Sequence, residues 1–264
     1  MRALVYITNY EGNAKRTYLN AILRGINTLA LDIDVIIYST EELEIEVFPN
    51  LDITINIYPK VFSSSKYANK YQPEPEFIWL HRIDILKKVE QYNLFIHLED
   101  DVCLTKENVE QFITYSFGEK KLDGYIIGNI VYENDGADYL LPQFHAGFKG
   151  IGKIITLNGE QFMVPKNKHQ GSYLVSQAQL KLLIANGEMT AQPKLAGRYN
   201  IKCSACTEIY CTPFLTKIIP IGNLDRCLTE HISLKYVNEN KRKRGKWFNA
   251  FQTLKEIKME LKEV

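Results

Sequence analysis

The chain has 264 residues, 45% of them hydrophobic and 24% charged, with a net charge of +1. That much apolar material builds a sizeable core and excludes a disordered chain, and the near-neutral balance argues against a whole surface given to nucleic acid. No apolar run reaches the roughly 20 residues that span a bilayer. Met1 leads directly into "RALVYITNY" without a secretory signal, so a cytoplasmic location is expected.

The first half alternates strand and helix. "RALVYITNY" reads as a strand, and "AKRTYLNAILRGINTLAL" carries apolar residues at helical spacing. "IDVIIYS" and "LDITINIYP" read as strands, and "EFIWLHRIDILKKVEQY" as a helix feeding the strand "LFIHL". This order predicts an α/β fold with a mostly parallel (mixed) central sheet flanked by helices. Thr105 is placed to cap the helix "KENVEQFITYSF", with Glu107 in its first turn.

The second half is more mixed. "DGYIIGNIVYE", "KIITLNG" and "EQFMVPK" read as strands, with "GADYLLPQFHAGFKGIG" as a Gly-punctuated loop. In "SQAQLKLLIANG", Ser176 and Gln179 form a capping box, and Gly187 sits where a helix-ending glycine belongs. Without repeats or linkers, the expectation is one domain over residues 1–236, with halves 1–105 and 106–236, followed by a basic tail over 237–264. Cys203, Cys206 and Cys211 cluster in "CSACTEIYC", but no second Cys-x-x-Cys or His pair completes a zinc set, so reduced thiols are expected.

The stretch that carries chemistry is "NLFIHLEDDVCLTKENVEQF", Asn93 to Phe112, where an apolar run stops on Glu99, Asp100 and Asp101 with no basic neighbour. Residues two apart in a strand share a side, so Glu99 and Asp101 point together. Ligands of parallel α/β sheets gather beyond the carboxyl ends of the strands, where these acids fall. Packed carboxylates resist joint ionisation unless a cation offsets them. Mg2+ is commonly held by one or two carboxylates together with substrate phosphates. The competing reading is a solvated turn, or a cap on the next helix.

"FIHLEDDVCLT" resembles the Asp-x-Asp-type motif of glycosyltransferases with the GT-A fold, with Glu in place of Asp at the first motif position. The resemblance implies a GT-A-like fold, with a nucleotide-binding half at 1–105 and an acceptor and donor-sugar half at 106–236. It also implies Mn2+ or Mg2+ held against the diphosphate of a UDP- or GDP-linked sugar. Asp101 would be the principal metal ligand, with Glu99 beside it, and Glu99 or Asp100 would meet the ribose or metal-bound water. Thr8, Asn9 and Tyr10 would receive the base, Arg16 a phosphate or the base, and Arg82 in "WLHRIDILKKV" the acids or the diphosphate. "NKHQGSYLVSQAQL" would line the sugar and the acceptor, with Gly171 allowing close backbone approach. Ser172 and Tyr173 would donate to sugar hydroxyls, and His169 would add a polar group. Glu208 in "SACTEIYCTPFL", with Thr207 or Ser204 as a cap, would be the catalytic base of an inverting enzyme. His231 in "CLTEHISLKY" would complete the metal shell. Against these stand plain structural roles: a solvent-facing Arg16, a salt-bridged Arg82, a loop His169, a first-turn Glu208 and a surface His231.

The implied activity is sugar transfer from a nucleotide-sugar to a hydroxyl of a glycan or lipid-linked acceptor. Two alternatives stay open. One is nucleotidyl transfer to a sugar phosphate, although "TNYEGNAKR" offers a single Gly for a phosphate loop. The other is a non-catalytic sugar- or membrane-binding protein on the same scaffold. From Lys241 to Val264 eight Lys/Arg face three Glu, a net +5, while the rest of the chain carries −4. Trp247, Phe251, Leu254, Ile257 and Leu261 recur there at helical spacing, the pattern of an amphipathic helix lying on the inner membrane face or docked on its own domain.

Overall fold

The computed structural model describes residues 1–10, 12–58, 75–145, 150–191, 201–242 and 251–263. The first half contains β1 (Arg2–Asn9), α1 (Arg16–Asn27), β2 (Asp32–Ser39), β3 (Asp52–Ile57), α2 (Pro75–Lys88) and β4 (Leu94–Glu99). There follow β5 (Val102–Cys103), α3 (Lys106–Ser116), β6 (Tyr125–Ile127), β7 (Ile130–Asn134), β8 (Tyr139–His145), β9 (Lys153–Leu157) and β10 (Glu160–Val164). The remainder is β11 (Ser172–Ser176), α4 (Gln177–Ala185), α5 (Ile201–Thr207), β12 (Thr216–Pro220), β13 (Leu228–His231), α6 (Lys235–Arg242), β14 (Phe251–Thr253) and α7 (Leu254–Glu260).

β1 is buried along all but its first residue, as a central strand covered on both faces must be. It pairs in parallel with β2 on one side and β4 on the other. β3 extends the sheet beyond β2 in parallel, and β11 closes the far edge antiparallel to β4, giving the order β11-β4-β1-β2-β3. The α/β architecture with a mostly parallel, mixed central sheet is therefore as the sequence implies. α1 buries Leu19, Ile22, Leu23 and Ile26, the i, i+3, i+4, i+7 stripe of a helix lying on a sheet. Each such side chain contributes roughly 1.5–3 kcal/mol by leaving water. Thr105 and Ser176 cap α3 and α4 through capping boxes with Asn108 and Gln179, and Gly187 follows α4 at φ +64°.

The second half forms two further sheets, β6-β12-β10-β9 and β14-β8-β7-β13-β5. Three details differ from expectation. "DGYIIGNIVYE" is two strands, β6 and β7, in different sheets. The segment expected to be a loop contains β8, antiparallel to β7 and β14. Phe251, placed by its spacing on a helix, lies in β14, and α7 begins at Leu254. α7 buries Leu254 and Ile257 against a cluster that includes Leu141 and Met163, so 251–260 pack onto the domain. Trp247 and the basic residues Lys243, Arg244 and Lys246 lie outside the described residues. Among the described residues no helix is long and apolar enough to cross a membrane.

Candidate functional site

The sheet is built outward from β1 in two directions: the chain adds β2 and β3 on one side, then returns to place β4 on the other. Between β1 and β4 lies the switch point at which α/β sheets open a crevice beyond their strand ends. The register sets Thr8 of β1 opposite Glu99 of β4, so the first-strand end and the acid cluster share one rim.

The three acids have different partners. Asp100 accepts from Lys15 Nζ at 2.8 Å, and the same ammonium stands 3.7 Å from Asp101. Lys15 ends the 3-10 turn Gly12–Lys15, which directly follows β1. Asp101 Oδ2 lies 3.2 Å from His231 Nε2. On its other side, His231 Nδ1 is 2.5 Å from Glu133 Oε1. Glu133 is fully buried at the end of β7, where it also accepts from the backbone N–H groups of Tyr236 and Val237 in the first turn of α6. Burial alone would raise the Asp101 carboxyl, but hydrogen bonding and charge from His231, with the Lys15 charge, hold it down to about 2. Burial would lower His231, yet its two carboxylate partners push it up to about 9. Burial and the neighbouring Asp101 charge push Glu99 up to about 8.

A buried polar line runs behind Glu99. Its Oε1 lies 3.7 Å from Cys206 Sγ, which lies 3.3 Å from His97 Nδ1, and His97 Nε2 lies 3.2 Å from Thr8 Oγ1. The His97 ring stacks between His81 and Tyr173, with centroids 3.8 and 5.4 Å away, and burial depresses both histidines, His97 to about 3. Gly171, at φ +63°, accepts at its carbonyl from Glu99 N–H, and a Cβ there would stand 3.3 Å from Glu99 Oε2.

The structure brings Thr8, Glu99, Asp100, Asp101, Gly171 and His231 together at this rim. His169, also marked from sequence, lines the cavity beside this rim, whereas the remaining marked residues do not. Arg16 reaches outward to Glu44 at 2.6 Å, with half its side chain exposed. Arg82 is fully buried; its guanidinium stacks over Trp79 and pairs with Glu208 at 3.3 Å. Glu208 is 4% exposed and does not line the cavity beside the acids. Ser172 is fully buried and bonds to Gln170, and Tyr173 is sealed in the histidine stack. Asn9 is buried, and neither of its amide atoms has a partner among the described residues. Tyr10 packs edge-on against Phe77, which also meets Tyr58.

A cavity of about 430 Å³ opens against Glu99, Gly171 and His231 and continues between His169, Tyr236 and Phe251. Phe251 comes from β14, so the C-terminal segment forms part of the cavity wall. Lys15 and Glu133 are site residues that sequence reasoning missed, as are His97 and Cys206 behind Glu99 and Tyr236 in the cavity wall. Among the described residues no group of three or more His, Cys, Asp and Glu side chains is arranged to hold a metal ion alone.

No family model and no curated protein matches the chain. Solved structures resemble it distantly. S. aureus TarS residues 1–349 superposes with a TM-score of 0.43 at 11% identity, over 90% of this chain and 63% of that one. The same protein in complex with UDP-GlcNAc gives 0.44 at 11%, over 88% and 61%. Another S. aureus TarS structure gives 0.43 at 10%, over 83% and 35%. The chain thus spans less than two thirds of each of these neighbours, and likenesses of this size carry no argument about function.

Proposed function

We propose that the chain is a metal-dependent glycosyltransferase, moving a sugar from a UDP- or GDP-linked donor to a hydroxyl of a glycan or lipid-linked acceptor. The observation that carries this is the placing of Glu99 and Asp101 at the β1/β4 switch point, beside a cavity that Glu99 and His231 line. Among ligand classes, a nucleoside diphosphate with a divalent cation fits such an acidic rim; a bare anion does not.

The donor set suits Mn2+ or Mg2+. Glu133 grips His231 Nδ1 and so leaves Nε2 facing Asp101, the carboxylate–histidine arrangement that orients a metal-binding imidazole; the Nε2 proton now shared with Asp101 would leave as the ion binds. Oxygen and imidazole donors match Mn2+, and a set that is incomplete by itself suits a cation that brings phosphate oxygens with it. Bound at Asp101 and His231, the ion would supply charge to stabilise the departing diphosphate. The chain's own residues do the rest. Lys15 offsets Asp100, the Tyr10–Phe77–Tyr58 cluster offers aromatic faces to a base, and Gly171 keeps the space beside Glu99 clear.

Calorimetry with UDP and GDP, with and without MnCl2, tests the proposal. Nucleotide binding should require the metal, and Asp101→Asn should weaken it by about tenfold or more (~1.4 kcal/mol). Failure of the wild-type chain to bind either nucleotide, with Mn2+ or Mg2+, would end it.

A further inference from the structure

We infer that His169, not Glu208, takes the proton from the attacking hydroxyl. The inference rests on the transfer reaction proposed above. Attack on the sugar carbon needs a group that touches the acceptor oxygen and can accept its proton. Glu208 is held by Arg82 and is absent from the cavity wall, whereas His169 is part of that wall.

The hydrogen bonds around His169 fix which nitrogen is available. Thr207 has one hydroxyl proton, and it is donated to the carbonyl of Cys203 at 2.5 Å. The 2.8 Å contact between Thr207 Oγ1 and His169 Nδ1 therefore requires Nδ1 to carry the hydrogen. Imidazole with hydrogen on Nδ1 has its lone pair on Nε2. The Cys203 carbonyl beside Thr207 also accepts from the ring, which the same Nδ1 hydrogen serves; that leaves the Nε2 lone pair for the cavity that His169 lines. Burial and the nearby Lys217 hold the ring well below the ordinary histidine range, down to about 4, so it is neutral at pH 7.

The backbone that presents the ring is tied on both sides. His169 N donates to Asn167 Oδ1 at 3.1 Å, and its carbonyl accepts from Gln143 Nε2 at 2.6 Å. Next to it, the Lys168 carbonyl accepts from Lys217 Nζ at 3.1 Å. A base held this firmly keeps its geometry as the reaction proceeds. In the step itself the acceptor oxygen bonds to the anomeric carbon while the bond from that carbon to the diphosphate oxygen breaks. The bonding pair leaves on the diphosphate, and the hydroxyl proton passes to His169 Nε2 and from there to water. Thr207 is a positioning residue, acting only through the ring.

The test needs no identified acceptor, because water attacks through the same step. UDP release from UDP-glucose and UDP-GlcNAc in the presence of Mn2+ is compared for the full chain and for His169→Gln. UDP affinity is measured in parallel by calorimetry. The expected result is a loss of hydrolysis of about 100-fold with UDP affinity within about twofold of wild type. Thr207→Val should slow hydrolysis and Thr207→Ser should restore it, a split that loss of packing alone would not produce. In the unliganded protein, nitrogen NMR of labelled histidine should show His169 neutral with its hydrogen on Nδ1 at pH 7. Hydrogen on Nε2, or a His169→Gln chain that hydrolyses the donor at the wild-type rate, would overturn the assignment and leave the transferase proposal standing. A wild-type chain that binds no nucleotide would remove both.

Discussion

Lys217 offers a quantitative test of how the floor of the site is built. It enters from β12, is fully buried, and places Nζ 3.1 Å from the Lys168 carbonyl, 3.4 Å from the Asn129 carbonyl and 5.0 Å from the Tyr210 ring centroid. Burial pulls its pKa from 10.5 down to about 7. Since the folded value is depressed, the unfolded chain binds more protons between pH 7 and 10.5, and stability rises with pH across that window. Below pH 7 both states are protonated and the cost of burying the charge is felt in full; it is relieved as the solution becomes alkaline. Lys217→Met removes this linkage, while its loss of two hydrogen bonds to carbonyls is independent of pH. At about 1.4 kcal/mol per unit, the stability difference between wild type and Lys217→Met should therefore change by on the order of 4 kcal/mol from pH 6 to pH 10, always in favour of wild type as pH rises. Urea denaturation at intervals over that range reads it directly. A difference flat to within about 1 kcal/mol would show that Lys217 keeps its ordinary proton affinity, and that the depressed proton affinity inferred from its burial is wrong.

Two other substitutions probe the rim. Glu133→Gln turns one of three accepting contacts into donor against donor. It should weaken Mn2+ binding about 10–100-fold in calorimetry and lower stability by roughly 1–3 kcal/mol; unchanged Mn2+ affinity would remove His231 from the metal proposal. Gly171→Ala and Gly187→Ala share a left-handed backbone, at φ +63° and +64°, but only at Gly171 does the new Cβ meet atoms, at 3.0 Å from Val102 Cγ2 and 3.3 Å from Glu99 Oε2. Both should lose about 1–2 kcal/mol from backbone strain, with a further loss at Gly171 alone. Equal losses in thermal denaturation would mean that nothing presses on Glu99.

Local pattern was enough for the parts of the fold that repeat. The strand–helix alternation through Glu99, the caps at Thr105 and Ser176 and the acid cluster at a strand end were legible because each is written within a few residues. β8 was not, because Gly136 stands just before it and Pro142 within it, and proline in a strand removes a ladder hydrogen bond. Arg82 and Glu208 stand 126 positions apart, and each taken alone fits a donor-facing role. Only their shared burial shows an ion pair, in which a fully buried guanidinium is matched by a carboxylate.

Lys15 and Glu133 were missed for different reasons, and the difference bears on the chemistry. Lys15 meets Asp100 across 85 positions, from a turn whose lysine looks like any exposed residue before a helix. No local rule could have found it. Glu133 did leave a signal. In a strand it shares a face with Val131, and a carboxylate on an inward apolar face must find hydrogen-bond donors. The donors prove to be a helix start and His231, one of five histidines in the chain. One buried acid thus fixes both the first turn of α6, from which Tyr236 enters the cavity wall, and the imidazole that faces Asp101. The acid cluster and the second half of the chain are therefore coupled through Glu133, and the rim cannot be disturbed there without moving the wall of the cavity as well.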